Sequence, residues 1–426
     1  MENKNYGFET RMIHAGYDGD AATHSVTPPL YQTNAYYFDD VNHAKSLFEL
    51  SEAGNIYSRL MNPTNGFLEE RITALEGGVG ALAFSSGHAA IFNTVANLCV
   101  AGDEVVSSAN IYGGAINMLG ISLRRLGINV KFVDPDDLSA WDDAVTDKTR
   151  LFFTELIGNP NANISDIEKI AEIARKHGIP FMVDGTFCTP YLCRPFEFGA
   201  DIVVHSATKL LSGHGQVMAG IIVDGGSFDF KNNPRFPLFN QPDVSYHGIV
   251  FADLGKTAFL TRLRALIMRD FGSCLAPFNS FMTLLGVETL SLRVERACEN
   301  ALKIAKYLEA HPEVEKINYP ALEGNKYYPL YKKYLPKGAG ALFTFVLKGD
   351  RDRAARFMDS LRLIQNVANV GDIRTQVVHP ATTTHSQLSA RQLEEAGICE
   401  GLVRISVGLE DVKDLIGDLE QALTKN

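Results

Sequence analysis

Nothing in this chain supplies the usual ingredients of a disulfide scaffold, a membrane span or a nucleic-acid surface. Six cysteines (Cys99, Cys188, Cys193, Cys274, Cys298 and Cys399) are spread over 426 residues without a Cys-x-x-Cys pair. Most lie in apolar segments, so reduced, buried thiols are expected rather than disulfides. His379 and His385 stand six apart with no acid between them, which is not a helical ligand spacing, and no metal is expected. No apolar run approaches the roughly 20 residues that cross a bilayer. Met1 to Tyr6 has no apolar signal core, so the cytoplasm is the expected compartment. Forty lysines and arginines face 50 aspartates and glutamates, a net charge of −10. That balance disfavours a nucleic acid or an anionic membrane as partner. Repeats and low-complexity linkers are also absent.

What is present is alternation. Residues 1–65 mix short apolar pieces with turn formers (His14-Ala15-Gly16, Pro28-Pro29, Asn62-Pro63). They read as an extended arm that packs on something else, such as a neighbouring subunit. Residues 66–285 alternate strands and helices. Gly80–Phe84, Glu104–Val106, Val130–Val133 and Leu151–Phe153 read as strands, and Ala89–Val100 as a helix. Ser165-Asp166-Ile167-Glu168 has the form of a capping box, and His177-Gly178 that of a helix stop. This pattern predicts an α/β domain with a mostly parallel sheet covered by helices. Residues 286–426 begin with a long helix carrying Leu290, Val294, Ala297 and Ala301 on one face. They continue as a smaller α+β domain. In Leu402–Val407, Arg404 and Ser406 share the face opposite Val403, Ile405 and Val407. Val412, Leu415, Ile416, Leu419 and Leu423 make a closing amphipathic helix.

One segment carries most of the chemistry. Val203-Val204-His205-Ser206-Ala207-Thr208-Lys209 is an apolar strand that ends in hydroxyls and a lysine, before the turn Ser212-Gly213-His214-Gly215. Upstream, Ile179–Val183 is another apolar strand, and it ends in Asp184. Open α/β sheets collect ligands beyond the carboxyl ends of their strands. A lysine and an acid there suit the two ends of pyridoxal 5'-phosphate (PLP). The amine condenses with its aldehyde, and the carboxylate pairs with its pyridine nitrogen.

Weaker signals surround this pair. Phe84-Ser85-Ser86-Gly87-His88 is either a plain strand–helix turn or a helix N-terminus that holds a phosphate. Tyr57 and Arg59 are either surface residues or phosphate ligands. Tyr112, in Ile111-Tyr112-Gly113-Gly114, either packs structurally or stacks on a planar ring. Asn159 is either a turn residue or a partner for a ring hydroxyl. Arg404 forms either a rim salt bridge or a bidentate clamp on an amino-acid carboxylate.

Taken together these motifs resemble the PLP-dependent Cys/Met metabolism enzymes, over nearly the whole chain. Carrying the resemblance are Glu9-Thr10-Arg11 with His14-Ala15-Gly16, Asn55-Ile56-Tyr57-Ser58-Arg59, Leu75-Glu76-Gly77-Gly78, Gly199 through Lys209 and the Arg404 strand. Tyr112-Gly113-Gly114, Gly158-Asn159-Pro160, Ser245-Tyr246-His247-Gly248, Ala368-Asn369-Val370-Gly371-Asp372 and His379-Pro380-Ala381 resemble the family's O-acetylhomoserine sulfhydrylase branch. The resemblance implies the type I PLP-transferase fold, with a seven-stranded large domain and a smaller C-terminal domain. It implies γ-replacement on O-acetyl-L-homoserine. The sulfur donor would be sulfide, a small thiol or a protein thiocarboxylate from a sulfur-carrier protein. The alternative is γ-lyase or cystathionine γ-synthase-type activity.

Lys209 then corresponds to the cofactor-bearing lysine and proton carrier, and Asp184 to the pyridinium partner. Ser86, Gly87 and His88, with the hydroxyls of Ser206 and Thr208, correspond to the phosphate cradle. Tyr112 corresponds to the ring-stacking and catalytic tyrosine, and Asn159 to a further cofactor contact. Arg404, Asn369 and Tyr57 correspond to substrate ligands. Tyr57 and Arg59 would reach the phosphate of a neighbouring subunit, which implies at least a homodimer and usually a homotetramer. Three positions depart from the family's usual residues. His88 replaces Gln or Met, Gly185 replaces the Asn after the aspartate, and Ser212 replaces a Gly.

Overall fold

The structure is a computed structural model that describes residues 6–384, 386 and 397–425. Among these, seven strands form a large sheet: β1 (Gly80–Phe84), β2 (Glu104–Ser108), β3 (Asn129–Val133), β4 (Thr149–Glu155), β5 (Phe181–Asp184), β6 (Ile202–His205) and β7 (Gly220–Asp224). Their spatial order is β1-β7-β6-β5-β4-β2-β3. Strand β7 runs antiparallel to both neighbours, and the other pairs are parallel. The mostly parallel sheet expected from the alternation, with the seven strands that the resemblance implies, is present.

Both faces of this sheet are covered. Leu151, Phe153, Met182, Ile202 and Val204 pack on one side, and Phe152, Phe181, Val183 and Val203 on the other. A strand buried on both faces needs apolar residues at every position, not every second one. Runs such as Leu151-Phe152-Phe153 and Phe181-Met182-Val183 therefore turn polar at their ends, where the sheet meets the cavity described below.

A second sheet follows: β8 (Val314–Asn318), β9 (Leu342–Leu347), β10 (Gln365–Asn366), β11 (Gln376–Val378) and β12 (Leu402–Ser406), ordered β10-β11-β12-β9-β8. Phe343, Phe345, Val403 and Ile405 pack against Leu415 and Leu419 of the closing helix Val412–Leu423. The helix Leu290–Glu309 links the two units. Leu290 and Val294 enter the large core, and Ala301, Ile304 and Leu308 the small one.

Three local expectations are corrected. Phe8–His14 and Val41–Phe48 are helices where extended chain is expected. Met12 docks into the large core, and buried Arg71 donates its Nε–H to the Ala15 carbonyl at 2.7 Å. Helices this short are stabilised by docking and caps rather than by periodicity, so their sequences show little pattern. The capping box does not form either. Ser165 is fully buried, and its hydroxyl donates to the Glu155 carbonyl at 2.9 Å. At the start of the helix Ile167–Lys176, the Glu168 N–H donates instead to the Tyr334 phenol oxygen at 3.2 Å. Finally, all six cysteines are free, but Cys399 is exposed and Cys274 half-buried; the other four are buried.

His379 uses both ring nitrogens, on Thr382 Oγ1 at 2.9 Å and the Glu400 carbonyl at 2.7 Å. His385 lies outside the described residues. Among the described residues no helix is long and apolar enough to cross a membrane.

Candidate active site

Strands β1, β4, β5 and β6 end along one edge of the large sheet, beside the N-terminus of the helix Gly87–Leu98. A cavity of about 330 Å³ opens there and is closed from the other side by Asn369, Val370 and Arg404. Eleven of the expected site residues line it. Ser86, Gly87, His88, Tyr112, Asn159 and Asp184 come from one set of turns and strand ends. Ser206, Thr208 and Lys209 follow β6, and Asn369 and Arg404 belong to the smaller unit.

Lys209 lies between the two units. Its amine donates to Asn369 Oδ1 at 2.6 Å. Burial, and then the nearby Arg404 charge, lower its pKa to about 8, so neutral amine is available near physiological pH. Arg404 is only 3% exposed. It donates to Asn159 Oδ1 at 3.0 Å and to the Asn369 carbonyl at 3.2 Å. A buried guanidinium whose hydrogen-bond partners among the described residues are neutral oxygens is short of an anion; a substrate carboxylate would supply one.

At the opposite end, Ser86 caps the helix by accepting the Ala89 N–H at 3.1 Å. Gly87 has to be glycine, because a Cβ there would lie 2.7 Å from Ser206 Cβ. The result is a helix start with free N–H groups pressed against a serine, an arrangement that takes a phosphate. The Thr208 hydroxyl is already engaged. Its hydroxyl donates to the Ala219 carbonyl at 3.1 Å and accepts the Ala219 N–H at 3.0 Å. The Tyr112 ring meets the His88 ring edge-on, with centroids 5.5 Å apart. Gly114 makes room for it, since a Cβ there would sit 2.6 Å from Tyr112 Cε1.

Asp184 ends β5, and one of its oxygens accepts the Thr186 N–H at 2.8 Å. Burial raises its pKa, against the pull of the Thr186 hydrogen bonds and of His205 and His88. Beside it in register stands Glu155 at the end of β4, also in the cavity wall. Sequence reasoning missed Glu155, although an acid closing an apolar strand is the same signal that singled out Asp184. Gly185 is explained by its neighbour. The His205 Cε1 atom would lie 2.7 Å from a Cβ at that position, and His205 is fixed by a buried contact to Glu76 at 2.5 Å.

Tyr57 and Arg59 are not brought to this cavity. They line a separate one of about 580 Å³, with Leu47, Phe48, Tyr246 and Arg264, and the Arg59 guanidinium lies 5.6 Å from the Tyr57 ring centre.

The donor set fits PLP: an amine for its aldehyde, a buried carboxylate for its ring nitrogen, and a helix start with a serine for its phosphate. The family described as Cys/Met metabolism PLP-dependent enzyme matches residues 9–424. The chain belongs to that family. It is 47% identical over 420 residues to an O-acetyl-L-homoserine sulfhydrylase of Corynebacterium glutamicum, covering 97% of this chain and 96% of that one. It is 47% identical to a homocysteine synthase of Schizosaccharomyces pombe, covering 98% of each. A Campylobacter jejuni crystal structure holding pyridoxyl-lysine-5'-monophosphate matches with a TM-score of 0.97 and 41% identity. That match covers 99% of this chain and all of the other. This member of the PLP-dependent family therefore has the fold, the cofactor and the broad reaction class that the resemblance implied.

Proposed function

We propose that this enzyme works by γ-replacement, exchanging the acetate of O-acetyl-L-homoserine for sulfide to give L-homocysteine, or for a small thiol to give its thioether, such as methionine. The observation that carries the reading is the near-full-length 47% identity to enzymes named for that reaction. The geometry described above supports it.

Bound PLP supplies an electron sink for negative charge on the substrate carbons. Asp184 holds the positive charge of the ring nitrogen. Arg404 binds the substrate α-carboxylate and keeps the amino acid from rotating. Lys209 Nζ, neutral in part because it is buried, takes the α-proton and returns protons later. Tyr112 moves a proton at the γ-step, where acetate leaves and the sulfur adds. Asn369 orients both Lys209 and Arg404.

The same reading makes the active unit at least a homodimer, and in this family usually a homotetramer. Tyr57 and Arg59 of one subunit would complete the phosphate site of the next. Residues 1–65 serve as the arm that carries them, 66–285 as the cofactor domain and 286–426 as the small domain. The enzyme works in the cytoplasm, and a sulfur-carrier protein is an alternative sulfur donor.

The test is to incubate the protein with PLP and O-acetyl-L-homoserine, with and without sulfide, and to assay homocysteine and 2-oxobutanoate. Sulfide-dependent homocysteine is expected. Oxobutanoate formed regardless of sulfide would move the enzyme to the lyases.

A further inference from the structure

Glu155 stands at a junction that the reaction scheme above does not use. It is 4% exposed, closes β4, and is the register partner of Asp184 on β5. Neighbouring partners on parallel strands point the same way, so the two carboxyls share one side of the sheet end. Glu155 Oε1 accepts the backbone N–H of Tyr112 at 2.7 Å, and the Asn159 backbone N–H faces the same carboxyl. Oε2 is buried and has no hydrogen-bond partner among the described residues.

The two turns that Glu155 grips are the ones that matter for substrate and cofactor. One carries the Tyr112 ring. The other carries the Asn159 side chain, which accepts from Arg404 at 3.0 Å. Without Glu155 the part-buried Tyr112 N–H would lose its acceptor and the Asn159 turn a polar neighbour. An unsatisfied buried donor is costly enough to move a turn.

Two buried carboxyls on register partners oppose each other's ionisation. The environment decides which one keeps the proton. Asp184 has the Thr186 hydrogen bonds and faces two imidazoles, all of which favour its charge. Glu155 has backbone N–H groups only, and burial followed by the Asp184 charge holds its carboxyl well above the usual range. Paired groups whose surroundings push them apart take different tasks.

We propose that Glu155 is a positioning residue that stays protonated beside an ionised Asp184, fixing the Tyr112 and Asn159–Arg404 turns so that the cofactor ring and the substrate carboxylate are held at one spacing. The inference rests on the PLP reading, and the wild-type holoenzyme checks that reading separately: a missing visible cofactor band in wild type would sink the reading itself.

The neutral isostere separates this role from a simple acid. Glu155→Gln keeps an acceptor for the Tyr112 N–H and has no proton to lose. It should bind PLP with wild-type affinity, keep the wild-type visible spectrum across pH 6–9 and leave kcat within about threefold. Glu155→Ala should raise the KM for the amino-acid substrate by about tenfold or more, because it misplaces Arg404, and should shift the bound-cofactor band through the displaced Tyr112 ring. If the Ala variant melts well below wild type, Glu155→Asp, one methylene short of the Tyr112 turn, replaces it with the same expectation. Wild-type KM and spectrum in the shortened variant would overturn the positioning role. A Gln variant as damaged as the Ala or Asp variant would overturn the protonated state.

Discussion

Asn369 holds the Lys209 amine at 2.6 Å through its side-chain oxygen, while its carbonyl takes an N–H from Arg404 at 3.2 Å. One residue of the smaller unit thus spaces the lysine proposed as proton carrier from the arginine proposed as substrate clamp. The spacing has an electrostatic consequence, because burial and the Arg404 charge bring the Lys209 pKa to about 8. Roughly a tenth of the amine is then neutral at pH 7, against well under a hundredth for an ordinary lysine. Apoenzyme mixed with PLP should therefore regain its visible band at a rate that rises with pH, half-maximal near 8 and flat above 9. A rate still climbing toward pH 10.5 would contradict the assignment.

Arg404 gives the next prediction. Lysine keeps the charge but not the two-pronged, planar donor set. Arg404→Lys should lower kcat/KM by about 10–100-fold, mostly in KM for the amino acid, with the visible cofactor band unchanged. An unchanged KM would mean that the carboxylate binds elsewhere.

The sheet and its ligand edge were legible because strands buried on both faces announce themselves as unbroken apolar runs. The candidate residues that close such runs, Asp184 and the Ser206–Lys209 segment, stood out for the same reason, and they line one cavity. Glu155 closes its run just as clearly, but single acids after apolar strands are common, and only the register with Asp184 gives it meaning. The helices Phe8–His14 and Val41–Phe48 were hidden because docking, not periodicity, stabilises them. Ser165 misled because a buried hydroxyl takes the nearest strong acceptor, here the Glu155 carbonyl, over a helix start. The role proposed for Tyr57 and Arg59 rests on the family resemblance alone, since in the single chain they lie away from the cavity.

Gly185 tests how tightly the acid end is packed. The family's usual residue is Asn, but the His205 ring would sit 2.7 Å from a Cβ at that position. His205 cannot withdraw freely, because it and Glu76 are fully buried and paired. Gly185→Asn should cost about 1–3 kcal/mol of stability through overpacking, seen as a lower melting temperature. Adding His205→Ala to that variant should recover less than the full loss, because it strands the buried Glu76 carboxyl. A Gly185→Asn protein as stable as wild type would show that the ring has another place to go.

The far end of the sheet carries a pH-dependent weakness unrelated to catalysis. Asp224, which ends β7, is buried, and burial raises its pKa to about 7, with neighbouring Asp201 adding to the effect. Among the described residues its Oδ1 accepts the Gly226 N–H alone, at 2.9 Å. A carboxyl whose folded pKa lies above its unfolded value adds stability below pH 4 and loses it as the pH climbs through 7. Above pH 7 the folded chain holds an unpaired buried charge that the unfolded chain holds in water. The ceiling on that penalty is about 4 kcal/mol, from a change of about 4 to about 7. Asn keeps the oxygen that accepts the Gly226 N–H and cannot ionise. Asp224→Asn should therefore melt higher than wild type at pH 8, with the gap closing toward pH 4. A gap of equal size at both pH values would mean the gain comes from packing, and no gap at pH 8 would mean that the charge finds a partner once it forms.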